Sequence, residues 1–235
     1  MGESTNNTPA KRAAQGGAID AFLEKAQRVA PRASGRGRLI FALDATMSRQ
    51  PAWDMAQAIQ GEMFAQTAAL GGLDVQLVYF RGFSECRASK FVSGGQGLRA
   101  LMAKIACRGG RTQIGKVLRH ALDEARAAPV GALVFVGDAM EEDIDRLAAA
   151  AGELGLLGVK AFMFQEGADA ATQRAFREIA RLTGGAYAGF DAGAPRRLAE
   201  LLAAAAAYAA GGRLELERRA RDGEAAARLL LSQIG

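Results

Sequence analysis

The sequence of 235 residues predicts a doubly wound α/β domain, with a mostly parallel six-stranded sheet, one antiparallel edge strand, and helices on both faces. Three observations predict it. Short unbroken apolar runs recur along the chain, as strands covered on both faces require. Between them lie longer segments whose apolar residues fall at helical spacing, and this alternation of patterns is the signature of βα units. No internal repeat of solenoid length replaces it.

The first 17 residues are rich in Ser, Thr, Asn, Gly and Ala. They lack the apolar content to bury a core, so 1–17 is expected to be a disordered arm. Residues 18–37 read as a short helix, with Ile19, Phe22, Leu23 and Ala26 on one face, and a linker from Pro31 to Gly37. The α/β domain is expected over 38–210. Leu39–Leu43 is its first buried strand. A helix follows from about Pro51 to Leu70, with proline in the first turn, where a missing N–H costs nothing, and Trp53, Ala56, Ile59, Met63 and Thr67 on one face.

Val75–Phe80 and Cys86–Val92 read as a hairpin at the sheet edge. Leu98, Leu101, Met102 and Ile105 mark a second helix, and the preceding Gly94-Gly-Gln-Gly97 reads as a turn, too short for a phosphate cradle. After the loop Gly109-Gly-Arg-Thr112, a third helix carries Ile114, Val117, Leu118, Ala121 and Leu122 on one stripe. Ala132–Val136 is the second fully buried strand and stops at Gly137-Asp138. A helix to Leu157, a strand Val159–Phe164, a helix around Phe176 and Ile179, and a short strand Ala186–Phe190 follow. An Ala-rich helix from about Pro195 to Ala210 closes the domain. The charged tail 211–235 ends in Leu229-Leu-Leu231 and is expected to be helical and packed back on the body.

Charge is unevenly placed. The formal net charge is +5, yet residues 1–38 hold 7 Lys/Arg against 3 Asp/Glu, leaving 23 against 22 for residues 39–235. A near-neutral body does not provide the basic face that phosphate backbones attract, so nucleic acid is not an expected partner. No run approaches the roughly 20 apolar residues of a membrane span, and the start is too polar for a secretory signal. Cys86 and Cys107 have neither the spacing nor the density of a metal or disulfide framework. A reduced, cytoplasmic protein is the expectation, and the Ala- and Arg-rich composition fits a bacterial source.

Three segments carry chemistry, each at or before the start of a helix: Asp44-Ala-Thr46-Met-Ser48 after the first buried strand, Thr112, and Asp138 after the second. In an open α/β sheet, ligands sit beyond the carboxyl ends of the strands where strand order reverses, which would bring all three to one crevice. Their donors are two carboxylates and three hydroxyls. Hard oxygens suit Mg2+ or Mn2+ and not zinc. Each also has a structural reading, as Asp, Thr and Ser cap helices. His120, the one histidine, reads as a half-buried helix residue and supports no triad or zinc site.

The order D-x-[S/T]-x-S, then a distant Thr before a helix, then Asp after the next buried strand, resembles the metal-ion-dependent adhesion site (MIDAS) of von Willebrand factor A (VWA) domains. The resemblance spans roughly Arg38 to Ala210. It implies a Rossmann-like fold in which Ser48 and Thr46 ligate the ion directly or through water, Thr112 joins when the site is occupied, and Asp44 and Asp138 act mainly through water. It further implies that an acidic side chain of a protein partner completes the shell. This sequence departs from the pattern at Thr46, where serine is usual, and in Ala-Met-Glu-Glu after Asp138, where glycine is common. Glu141, Glu142 and Asp143 read as favouring the positive end of a helix dipole, with a ligand role for Glu141 or Glu142 as the alternative. Arg49, Arg111 and Glu142 are the candidate partner-binding residues. The expected function is therefore non-enzymatic binding. A Mg2+-dependent hydrolase or phosphotransferase is the rival, weakened by the absence of a second Asp two residues after Asp44, of a P-loop and of a placed general base. A scaffold with a vestigial site is the third reading.

Overall fold

The computed structural model describes residues 36–47, 50–67, 72–191 and 194–235, without side chains at 52, 60, 62, 64 and 66. The expected arm and short helix, most of the linker, and Ser48, Arg49 and Leu70 lie outside the described residues. Seven strands and seven helices follow in the order β1 (Gly37–Asp44), α1 (Gln50–Thr67), β2 (Leu73–Arg81), β3 (Glu85–Ala88), β4 (Val92–Ser93), α2 (Gly95–Met102), α3 (Ile114–Ala127), β5 (Ala132–Gly137), α4 (Ile144–Leu156), β6 (Lys160–Glu166), α5 (Ala170–Thr183), β7 (Ala186–Phe190), α6 (Pro195–Arg221) and α7 (Ala225–Leu231).

The sheet order is β3-β2-β1-β5-β6-β7, with β4 also pairing β2. Strands β1, β2, β5, β6 and β7 are parallel, and β3 and β4 run antiparallel to β2. The expected six positions across the sheet are present, and the antiparallel edge is broken into two pieces. Its interruption has a local cause. The Ser89 hydroxyl takes the N–H of Leu77 at 3.0 Å in place of a backbone carbonyl, while Ser89 N–H still reaches Leu77 O at 2.8 Å.

Alternation along β1 divides the core between the two faces. Leu39, Phe41 and Leu43 pack with Trp53, Met63, Leu98 and Leu201 of α1, α2 and α6. Ile40 and Ala42 pack with Ile114, Val117, Leu147 and Phe176 of α3, α4 and α5. The alanines of α6 have a structural reason: a Cβ at either Gly37 or Gly131 would meet Ala209 O at 2.6 Å, so helix and sheet approach to backbone contact.

One element ends elsewhere than the apolar pattern predicts. Helix α2 stops at Met102, so Ile105 packs on the core from the loop beyond it. The Ala-rich helix breaks at Gly212, whose φ of 67° leaves the helical region, close to the expected end at Ala210, and a second helical segment carries α6 on to Arg221. Helix α7 then buries Ala226, Ala227 and Leu230. After it, the Gln233 side chain accepts from Tyr187 N–H and donates to Tyr187 O, both at 3.0 Å, covering the open edge of β7 as a strand would.

Candidate functional site

Strands β1 and β5 are neighbours, with Leu43 opposite Val136, and both run out at the same edge of the sheet. The chain passes from β1 to β2 on one side and later to β5 on the other, so strand order reverses between β1 and β5. A ligand crevice forms at such a point. Asp44 is the last residue of β1, and Asp138 directly follows the last residue of β5. Asp44 is only 3% exposed, and its Oδ1 accepts the Thr46 N–H at 2.7 Å, turning the chain out of the strand. Thr46 and Thr112 are each 8% exposed, and Asp138 is half-buried.

The loop carrying Thr112 is held from three sides. Arg108 N–H donates to Ala45 O at 3.0 Å, next to Asp44, and Arg111 N–H donates to Gly82 O at 3.0 Å. A Cβ on Gly110 would fall 2.2 Å from Gly82 O, so only glycine allows this approach to the β2–β3 turn. The buried amide of Gln113 donates to Arg81 O, Gly82 O and Glu85 O at 3.2–3.4 Å. Arg81 pairs with both oxygens of Glu85 at 3.0 Å and reaches Ala106 O at 2.6 Å. That pairing raises the Arg81 pKa and lowers that of Glu85, so both stay charged.

The third side comes from the segment after Asp138. Thr112 Oγ1 accepts Glu141 N–H at 3.1 Å, and Glu141 Oε2 accepts Thr112 N–H at 3.2 Å. Glu142 turns its carboxylate onto the start of α3, accepting from Ile114 N–H and, at 3.0 Å, from Gly115 N–H. The N-cap residue Gln113 provides no side-chain cap, so Glu142 satisfies donors that a helix start leaves orphaned. The dipole reading of these acids thus applies to two different helices: Glu142 serves α3, and Asp143 caps its own helix α4 by accepting Asp145 N–H at 2.9 Å. Burial raises the Glu142 pKa, partly opposed by those two N–H groups.

Nothing in sequence order announces these contacts. Glu142 lies 28 residues from Ile114, and Gln113 lies 31 from Gly82. Arg111 is exposed beside Thr112. His120 stands apart from the site, with Nε2 2.9 Å from Gln76 Oε1. Cys86 and Cys107 are not disulfide-bonded, and burial raises the Cys86 pKa, making it a poor nucleophile.

Among the described residues, no three His, Cys, Asp or Glu side chains gather as a metal cage. Asp44, Asp138, Thr46 and Thr112 all carry oxygen donors, two of them carboxylates. Such a set fits a cation that keeps waters or takes an outside ligand. Thr112 Oγ1 has a second lone pair beyond the one engaged by Glu141.

No protein-family sequence model matches this chain, and no curated protein matches it in sequence. Its fold does match solved structures. The SpRpn10 VWA domain aligns with a TM-score of 0.55 at 12% identity, over 66% of this chain and 88% of that one. An aerotolerance-related membrane protein from Bacteroides fragilis NCTC 9343 aligns at 0.50 and 18% identity, over 68% and 96%. Proximal thread matrix protein 1 of the mussel byssus, described with a zinc-occupied MIDAS motif, aligns at 0.57 and 14% identity, over 72% of this chain but 45% of that one. No helix among the described residues is long and apolar enough to cross a membrane.

Proposed function

We propose that this chain, whose fold is that of von Willebrand factor A domains, is a protein-binding module that engages its partner through a divalent cation and catalyses no reaction. The observation that carries this reading is the approach of three separate segments at one switch point: Asp44 ends β1 and Asp138 directly follows the adjacent β5, while the Thr112 loop is bonded to Ala45 on one side and to Glu141 on the other. Buried hydroxyls beside two carboxylates have a use at a cation.

Asp44, Thr46, Ser48, Thr112 and Asp138 are the proposed ligand set, with Ser48 assigned from its place in the motif. Few direct negative charges would leave the ion electropositive, so a carboxylate from outside completes its shell favourably. The donors favour Mg2+ or Mn2+. The byssus protein is described with zinc in its MIDAS, so the proposal is a divalent ion first and its identity second. Arg111 lies at the rim, where a partner's acid would approach, and Glu142 acts by holding α3.

Partner capture from a lysate by wild-type and Asp44→Ala protein, each with Mg2+ and with EDTA, tests the reading. EDTA and the substitution are expected to abolish capture equally and without further loss when combined, since both remove one interaction. A partner retained in all four conditions would place binding on another surface.

A further inference from the structure

Beside the proposed cation site, the sheet edge presents two apolar side chains to solvent. Met47 is 61% exposed just after Thr46, and Phe83 is 81% exposed in the β2–β3 turn. They lie beyond the carboxyl ends of the adjacent strands β1 and β2. Single exposed apolar residues are ordinary on protein surfaces. Phe83 differs in its mounting, because its turn is locked by Gly82 against Gly110, Arg111 and Gln113. An aromatic ring held in water on a rigid turn loses little entropy when a partner covers it.

Two arginines stand beside these residues, while the nearest acids, Glu85 and Glu141, are engaged by Arg81 and by Thr112 N–H. Arg108 and Arg111 flank the Gly109-Gly110 pair, both are exposed, and neither forms an ion pair among the described residues, whereas most arginines elsewhere do. Their backbone N–H groups are committed to Ala45 and Gly82, so their positions along the rim are fixed while their guanidinium groups project outward. Aromatic residues and arginine are the types that most often anchor interfaces.

We infer that the rim formed by Met47, Phe83, Arg108 and Arg111 receives an extended acidic segment of the partner in which apolar residues flank the carboxylates. One carboxylate would face the cation, a second would meet the arginines, and the flanking apolar side chains would cover Met47 and Phe83. The inference rests on the reading of the site proposed above and specifies its partner class. The basic N-terminal arm is a poor occupant, since its charge has the same sign as the rim.

The test uses two fluorescein-labelled Gly/Ser peptides, one with a central Leu-Asp-Asp-Leu and one with Ser-Asp-Asp-Ser, measured by anisotropy at millimolar Mg2+. The leucine peptide is expected to bind wild-type protein about tenfold tighter, as burial of one large apolar side chain provides. Phe83→Ser with Met47→Ser should erase that preference and leave the serine peptide unaffected. Arg108→Ser with Arg111→Ser should weaken both peptides about tenfold and flatten the salt dependence. All four positions are exposed, and circular dichroism verifies that the variants fold. Equal affinity of wild type for the two peptides, no binding of either, or variants that behave as wild type would overturn the inference. Repeating the series with EDTA separates the two proposals. A rim-dependent preference that survives EDTA would remove the cation and keep the rim, and binding lost with EDTA but indifferent to the rim variants would do the reverse.

Discussion

The Thr112 hydroxyl accepts from Glu141 N–H in a nearly buried position, so it contributes to the fold as well as to the candidate site. Thr112→Ala should cost about 1 kcal/mol, a fall of about 2–4 °C in Tm for a chain of this size, and Thr112→Ser should restore it. Scanning calorimetry checks both. Glu142 gives a pH signature. Its folded pKa is raised above the ordinary 4.5, chiefly by burial, so between the two values the folded state holds more protons than the unfolded. Stability from this group therefore falls as pH rises through that window above 4.5, and Glu142→Gln should remove the dependence. Unfolding curves from pH 4 to 8 that keep the same slope in the variant would contradict this. Asp44, Thr46 and Asp138 are legible in the sequence because each follows a strand that its apolar run declares. Glu141, Glu142 and Gln113 are not, because their partners lie 27 to 32 residues away and only the closed fold supplies them.

At the scale of elements, the loop before α3 depends on a close backbone approach. A Cβ at Gly110 would sit 2.2 Å from Gly82 O, whereas one at Gly109 would meet nothing within 4 Å. Gly110→Ala should lift the loop, break the Arg111–Gly82 bond and weaken divalent-ion affinity about tenfold, with Gly109→Ala as an unaffected control. Ion titration of the two variants decides it. The packing of α6 makes a separate prediction: Gly131→Ala places a Cβ 2.6 Å from Ala209 O and should destabilise by about 1–3 kcal/mol, read from denaturant midpoints, without altering the site. Most elements are legible from period alone, since strands buried on both faces are unbroken apolar runs. Helix α2 is shorter than its stripe because Ile105 can reach the core from a loop, and the Ala-rich helix does break at Gly212, where a φ of 67° leaves the helical region before a second helical segment begins.

Across the whole molecule, strand order is the property that the sequence reaches only by rule. Alternating apolar runs and helical stripes give a doubly wound sheet, and the switch point then follows where the chain crosses back over β1. The rule placed Asp44 and Asp138 at one edge, where the structure has them. It could not supply the stitching of the Thr112 loop or the closure of β7 by Gln233, because both rest on side chains far apart in sequence. The body begins at β1, and Arg36 before it pairs with Asp74 at 2.6 Å. A chain starting at Arg36 should keep the Tm of the full protein within a few degrees, a test of whether 1–35 contributes to the fold. The central claim is that the edge between β1 and β5 takes a divalent cation. Isothermal titration with Mg2+ and with Mn2+ addresses it most directly, on wild-type, Asp44→Ala and Asp138→Ala protein. One saturable site in the wild type, lost in both variants while circular dichroism is unchanged, is the predicted result. No saturable heat in the wild type at millimolar ion, or binding that persists in both variants, would contradict it.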